Sequence, residues 1–194
     1  MTIHTRMEKL TQKIEEQLSA IDRKSIDQLV ESLTNAKRIF IGGAGRSGLV
    51  AKAFGMRLMH LGFTVYVIGE VITPAINKED LLIIVSGSGQ TISVVVAARI
   101  AKEKGVKIVS ITSNPNSDIG KLSDVIVQIK GRRPEDAKRD YEARQLIGNH
   151  EPLTPLGTLF ELSAMVFLDS IIDELMLRYQ KSEDELKKLH ADLE

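Results

Sequence analysis

The chain has 194 residues, and its 26 Lys+Arg are matched by 26 Asp+Glu, so the formal net charge is zero. That balance argues against a general nucleic-acid binder, and 4% aromatics without a Trp argues against base-stacking platforms. The absence of Cys excludes disulfides, a thiolate metal site and a cysteine nucleophile. Met1-Thr2-Ile3-His4-Thr5-Arg6 lacks the apolar core of a secretion signal, and the apolar runs are too short to span a bilayer, so a soluble, cytoplasmic protein with no membrane partner is expected.

Met7, Leu10, Ile14, Leu18 and Ile21 recur at helical spacing. Ser25 with Gln28 reads as a capping box opening a second helix, with Ile26, Leu29, Val30 and Leu33 on its apolar face. Ile39-Phe40-Ile41 reads as the first strand, and Leu49–Leu61 as a helix ended by Gly62. Thr64–Ile68 is a second strand, Leu81–Val85 a third and fully buried one, and Ile92–Lys104 a helix ended by Gly105. Val106–Thr112 and Val125–Ile129 complete the strands, with a turn at Ser113–Asp118 and a short helix to Leu122 between them. This alternation predicts an α/β fold: a five-stranded parallel sheet flanked by helices, a flavodoxin-like three-layer sandwich with right-handed crossovers, for which the strand order 2-1-3-4-5 is supposed.

One domain is expected over residues 1–194. It divides into N-terminal helices (1–36), an α/β core (37–130), a charged loop or lid (131–153) with a helical piece near Glu135–Leu146, and C-terminal helices (154–194). Thr154-Pro155 has the form of a helix start. The helix Leu156–Tyr179 is apolar nearly all round between Leu162 and Ile172, which predicts burial in a core or an oligomer interface. Ser182 with Glu185 opens a last charged helix to Glu194.

Two strand-to-helix turns carry the chemistry. Ser86-Gly87-Ser88-Gly89-Gln90-Thr91 follows the third strand. Free N–H groups and the positive end of the helix dipole suit an anion there, glycines allow close approach, and hydroxyls add donors. No Gly-Lys-Ser/Thr follows, so this is not a P-loop. Gly43-Ala44-Gly45-Arg46-Ser47-Gly48 follows the first strand and formally matches G-x-G-x-x-G, with Glu70 roughly 20 residues on where a ribose-binding carboxylate would sit. Dinucleotide binding is therefore the rival reading. Against it stand Arg46 and Ser47 inside the glycine frame, which suit a terminal phosphate, and a second donor loop with no role in a simple dinucleotide site. With strand order 2-1-3-4-5 the two loops open into one crevice, where Ser47, Ser86, Ser88, Thr91 and loop N–H groups could hold one phosphate with no metal and no cofactor.

The two loops resemble the phosphate loops of the sugar isomerase (SIS) domain family. Gly45-Arg46-Ser47-Gly48, Met56-Arg57-Leu58-Met59-His60-Leu61-Gly62-Phe63, Gly69-Glu70 with Thr73-Pro74, and Pro155-Leu156-Gly157-Thr158-Leu159-Phe160-Glu161 closely resemble the 6-phospho-3-hexuloisomerases within it. Lys130–His150 departs by being longer than in short members, which bears on fine substrate preference and leaves the phosphate loops intact. The resemblance implies interconversion of D-arabino-3-hexulose 6-phosphate and fructose 6-phosphate through a cis-enediol, a place in formaldehyde fixation by the ribulose monophosphate route, and a homo-oligomer, usually a tetramer. Alternatives on the same residues are another sugar-phosphate isomerase and a noncatalytic sugar-phosphate sensor.

A carbonyl shift between neighbouring carbons needs one base that takes a proton from one carbon and returns it to the other. Glu161 occupies the family's carboxylate position and is the expected base. His60 and His190 are the expected histidine candidates, and the resemblance allows His190 to act from a neighbouring subunit. Arg46 is expected to neutralise phosphate or enediolate charge, Glu70 to bind sugar hydroxyls, and Gly45, Ser47, Ser86, Gly87, Ser88, Gly89, Gln90 and Thr91 to bind the substrate phosphate.

Overall fold

The computed structural model describes residues 2–131 and 157–190. Strands β1 (Ile39–Gly43), β2 (Val65–Val67), β3 (Leu81–Val85), β4 (Lys107–Thr112) and β5 (Val125–Gln128) form one parallel sheet, as the alternation predicts, and their order is β2-β1-β3-β4-β5, the one supposed above. The described helices are α1 (Ile3–Ser19), α2 (Arg23–Asn35), α3 (Gly45–His60), α4 (Ile92–Glu103), α5 (Asp118–Leu122), α6 (Thr158–Arg178) and α7 (Glu183–Lys187). None of them is long and apolar enough to cross a membrane.

Side chains alternate across a strand, and both faces of this sheet are covered, so the strands read as continuous apolar runs. Ile39, Ile41, Leu81, Ile83, Val85, Val109 and Ile111 face α2, α3 and α6, packing with Leu29, Leu33, Phe54, Leu58, Phe160 and Leu168. Phe40, Leu82, Ile84 and Ile108 face α4 and α5, packing with Val94, Val95, Ala98 and Ile119.

Several boundaries differ from the sequence reading. The cap of α2 is Asp22, whose carboxylate accepts from the Ser25 N–H, so Ser25 lies inside the first turn and its hydroxyl donates back to the Asp22 carbonyl. Helix α3 starts at Gly45, four residues before Leu49, and so takes in the whole Gly45–Gly48 stretch. Helix α6 is described from Thr158 with Gly157 in the cap position, which places Glu161 in its first turn; Thr154-Pro155 and Glu135–Leu146 lie outside the described residues. The apolar composition of Leu162–Ile172 is spent inside the subunit: of its large apolar side chains only Val166 is exposed. The capping box of Ser182 and Glu185 is present, but it opens a helix that ends at Lys187.

The pairing of β1 with β3 is clamped at its start. Arg38 Nε donates to Asp80 Oδ1 at 2.9 Å, and its Nη2 donates to Oδ2 at 2.6 Å. The Asn77 N–H adds a third bond to Oδ2 at 2.7 Å, and the Asp80 side chain is 1% exposed. Burial alone would push the Asp80 carboxyl up, but the bonds from Arg38 and Asn77 together outweigh it and hold the group below its usual range.

A depressed native value means that this stabilisation is present above the unfolded value of about 3.9 and is lost as pH falls through the lower folded value. Asp80→Asn should therefore cost about 1–3 kcal/mol at pH 7. Urea denaturation across pH should show the wild-type advantage shrinking only in the acid range; a gap that stays constant down to pH 2 would refute the charge assignment.

Candidate active site

The register sets Gly43 opposite Val85, so the carboxyl ends of β1 and β3 lie side by side and feed α3 and α4 in parallel. The glycine frame of the first turn is steric. A Cβ on Gly43 would stand 2.8 Å from the Val85 carbonyl oxygen and 2.9 Å from the Gly48 nitrogen, and one on Gly48 would stand 2.8 Å from the Gly43 oxygen. The start of α3 is thus pressed onto the strand ends, which is why the helix begins as early as Gly45. Arg46 and Ser47 then occupy the first turn, Arg46 exposed and Ser47 half-buried.

The second turn separates supports from exposed donors. Ser86 is buried, and its Oγ accepts from the Gly89 N–H at 3.2 Å. The hydroxyl thus also holds the loop from inside. The Gly87 carbonyl accepts from Ser113 Oγ at 2.6 Å, from the Ser113 N–H at 3.1 Å and from Thr112 Oγ1 at 3.3 Å. Gly89 has φ 64°, and a Cβ there would lie 1.9 Å from Ser117 Oγ. A Cβ on Gly87 would meet the Phe160 ring at 3.1 Å. Ser88 and Gln90 are exposed and Thr91 is half-buried; the Ser88 hydroxyl accepts from the Gln90 N–H at 3.3 Å.

Capping sets this end of the molecule apart. Thr2, Asp22, Ser117 and Ser182 each close a helix start with a side-chain acceptor. Ala44, Thr91 and Gly157, which stand at the starts of α3, α4 and α6, make no side-chain cap bond. The three starts meet here: α3 and α4 through the strand register, α6 through Phe160 against Gly87 and through Glu161 against Arg46. At the starts of α3 and α4 the first N–H groups suit an anion. Arg46 Nε donates to Glu161 Oε2, joining a side chain that is 62% exposed to one that is 13% exposed.

The fold therefore gathers Gly45, Arg46, Ser47, the Ser86–Thr91 loop and Glu161. It does not bring three other expected residues to them. Glu70 is exposed, and its Oε1 accepts from Lys52 Nζ at 2.6 Å, so the carboxylate that a ribose would need is engaged on the flank of α3. His60 ends α3, about 22 Å along the helix from Gly45 at 1.5 Å per residue. It is buried there, and its ring stacks on that of His190 with centroids 5.1 Å apart. The two rings line a cavity of about 370 Å³ with Arg57, Met176 and Lys187. Within one subunit neither histidine reaches Glu161. Sequence reasoning also passed over Thr112, Ser113, Ser117 and Phe160, which support the second turn; the hydroxyl-rich run Ser113–Ser117 was the available signal and read only as a turn with a cap.

A parallel α/β sandwich with two glycine-rich strand-to-helix turns at the switch between β1 and β3 defines the class, and comparison specifies it. Residues 32–139 match the model of the SIS domain, and the chain belongs to that family. It is 46% identical over 181 residues to an uncharacterised protein of Aeropyrum pernix, covering 91% of this chain and 85% of the relative. It is 39% identical over 174 residues to the 3-hexulose-6-phosphate isomerase of Bacillus subtilis, covering 90% of this chain and 89% of that enzyme. The crystal structure of a Methanococcus jannaschii protein, for which a molecular function of 3-hexulose-6-phosphate isomerase was inferred, superposes with a TM-score of 0.80 at 33% identity, covering 97% of this chain and 98% of the other.

Gly89→Ala tests the loop support. The new Cβ collides with Ser117 Oγ and leaves a residue with a side chain at positive φ, so it should cost about 1–3 kcal/mol. Thermal melts should fall, and calorimetry should show weakened binding of a sugar phosphate; a variant with wild-type melting and affinity would show that the loop tolerates displacement.

Proposed function

We propose that the chain interconverts D-arabino-3-hexulose 6-phosphate and fructose 6-phosphate. The observation that carries this reading is one carboxylate, Glu161, set beside the starts of α3 and α4, which have no side-chain cap, and a glycine- and hydroxyl-rich turn. The likeness to named isomerases supports it across most of the chain.

Substrate phosphate sits against the starts of α3 and α4, taking bonds from loop N–H groups of Gly45 and Gly87 and from Ser47, Ser88, Gln90 and Thr91. Arg46 supplies the positive charge. Glu161 takes the proton from carbon 3 of fructose 6-phosphate, and the C–H pair becomes the carbon 2–carbon 3 double bond as the carbonyl pair moves to oxygen 2. The enediolate then loses the hydroxyl proton of oxygen 3 and oxygen 2 regains one. The proton on Glu161 is returned to carbon 2, leaving the carbonyl at carbon 3. No atom is gained or lost, and one carboxylate on one face performs both transfers.

The reading extends to a cytoplasmic homo-oligomer, a tetramer or dimer, serving formaldehyde fixation by the ribulose monophosphate route. The exposed apolar side chains Leu49, Met56 and Met59 on α3 and Ile92, Val96 and Ile100 on α4 favour a second copy against these helices. In such an assembly His190, with His60 beneath it, serves a neighbour's site. Mixing inactive Glu161→Gln and His190→Ala subunits should then restore part of the activity, whereas no recovery after demonstrated subunit exchange would remove the histidine from the mechanism.

The main test follows the proton. In heavy water, fructose 6-phosphate should gain deuterium at carbon 3, and Glu161→Gln should lower turnover by about 10²–10⁴-fold while phosphate binding survives. Deuterium at carbon 1 instead would mark an aldose–ketose isomerase, and near-normal turnover in the variant would move the base elsewhere.

A further inference from the structure

We infer that Arg46 is a phosphate-operated latch on the base, an inference that rests on the isomerase reading above. Arg46 Nε donates to Glu161 Oε2, so the oxygen that would approach a sugar C–H is occupied. The two partners are unequal in setting. Glu161 is largely enclosed at 13% exposure, while Arg46 reaches in from the solvent edge at 62%. The Glu161 backbone is held in α6, its N–H donating to the Gly157 carbonyl at 3.0 Å, and its side chain is the enclosed one, so the exposed guanidinium is the partner with room to move.

The backbone of Arg46 lies in the first turn of α3, at a helix start without a side-chain cap. A phosphate seated on that start is within reach of the same side chain. A phosphate dianion carries twice the charge of a carboxylate and offers oxygens spaced for the guanidinium fork, so it outcompetes Glu161 for Arg46. Two events are thereby coupled: the substrate's phosphate draws the guanidinium away, and the Glu161 oxygen is released toward the carbon acid. Without a phosphate the base stays engaged. The phosphate then does more than anchor the sugar, since it switches on the group that takes the proton. Arg46 acts here as a positioning residue for Glu161.

The test uses the substrate in two pieces. Unphosphorylated D-fructose is incubated with the full chain in heavy water, with and without phosphite dianion, and deuterium at carbon 3 is followed. Binding of phosphite is first secured by its competition with fructose 6-phosphate. For the wild type, saturating phosphite should speed exchange by about tenfold or more, a fraction of the ~10²–10⁴ that a positioned base supplies. In Arg46→Gln the phosphite-free exchange should rise and the acceleration at saturation should fall toward unity. Arg46→Lys should keep part of the acceleration, and guanidinium ion should restore part of it to Arg46→Ala.

If Arg46 only anchors phosphate, Arg46→Gln will need more phosphite but keep both the phosphite-free rate and the acceleration at saturation, and the latch is overturned. It is equally overturned if bound phosphite leaves wild-type exchange unchanged. Failure of fructose 6-phosphate itself to exchange at carbon 3 would count against the isomerase reading instead, so the two failures are separable.

Discussion

Every part of the site hangs from the parallel pairing of β1 with β3. Arg38 and Asp80 clamp this pairing at one end, and at the other the absence of a side chain on Gly43 lets the strand close against the Val85 carbonyl and the start of α3. Two strands whose paired residues, Ile39 and Leu81 among them, lie 42 positions apart, with α3 and β2 in between, end abreast because right-handed crossovers carry the chain out to β2 and back. The crevice between them is then a place where two helices start side by side. A slip that brought Ala44 opposite Val85 would place a Cβ where none fits.

Rigid and ligand-facing groups are kept on different residues. Ser86, Thr112 and Ser113 spend their polar atoms on the loop, Ser117 caps α5 hard against Gly89, and Phe160 fills the space beside Gly87. Ser88, Gln90 and Arg46 remain exposed. A donor set held this way needs little reorganisation when charge arrives, which is the condition under which fixed dipoles act strongly on an anion. Thr91 shows the same economy: it stands where a threonine usually caps its own helix, yet its hydroxyl makes no such bond.

The parallel sheet and the two turns were legible in the sequence because each rests on a local or periodic signal, whereas Glu161 was picked out by the family resemblance. The Leu81–Val85 run, the glycine frame and the hydroxyls around it identify a parallel sheet with anion-friendly turns without reference to distant residues. What escaped depended on contacts distant in sequence: nothing near Ser113 announces that it will hold Gly87, 26 residues earlier. The early start of α3 was missed because glycines normally argue against a helix, whereas here close packing on the strand demands them. The Leu162–Ile172 stretch left two outcomes open, since an apolar composition says that a helix is buried but not whether its own subunit or another buries it; here its own core does.

The contact between Arg46 and Glu161 spans 115 positions of the chain, and the loop that supports Gly87 comes from β4 in between. No fragment that lacks either end can hold the assembled cradle, because its pieces come from the first, third and fourth strands and from the helix that follows the sheet. Such far-separated pairings form late, after most loop-closure entropy has been spent. Recognition and completion of folding are therefore one event in this chain: partly folded species are blind to the sugar phosphate, and the metabolite, by binding only the finished form, acts as a thermodynamic brake on its unfolding.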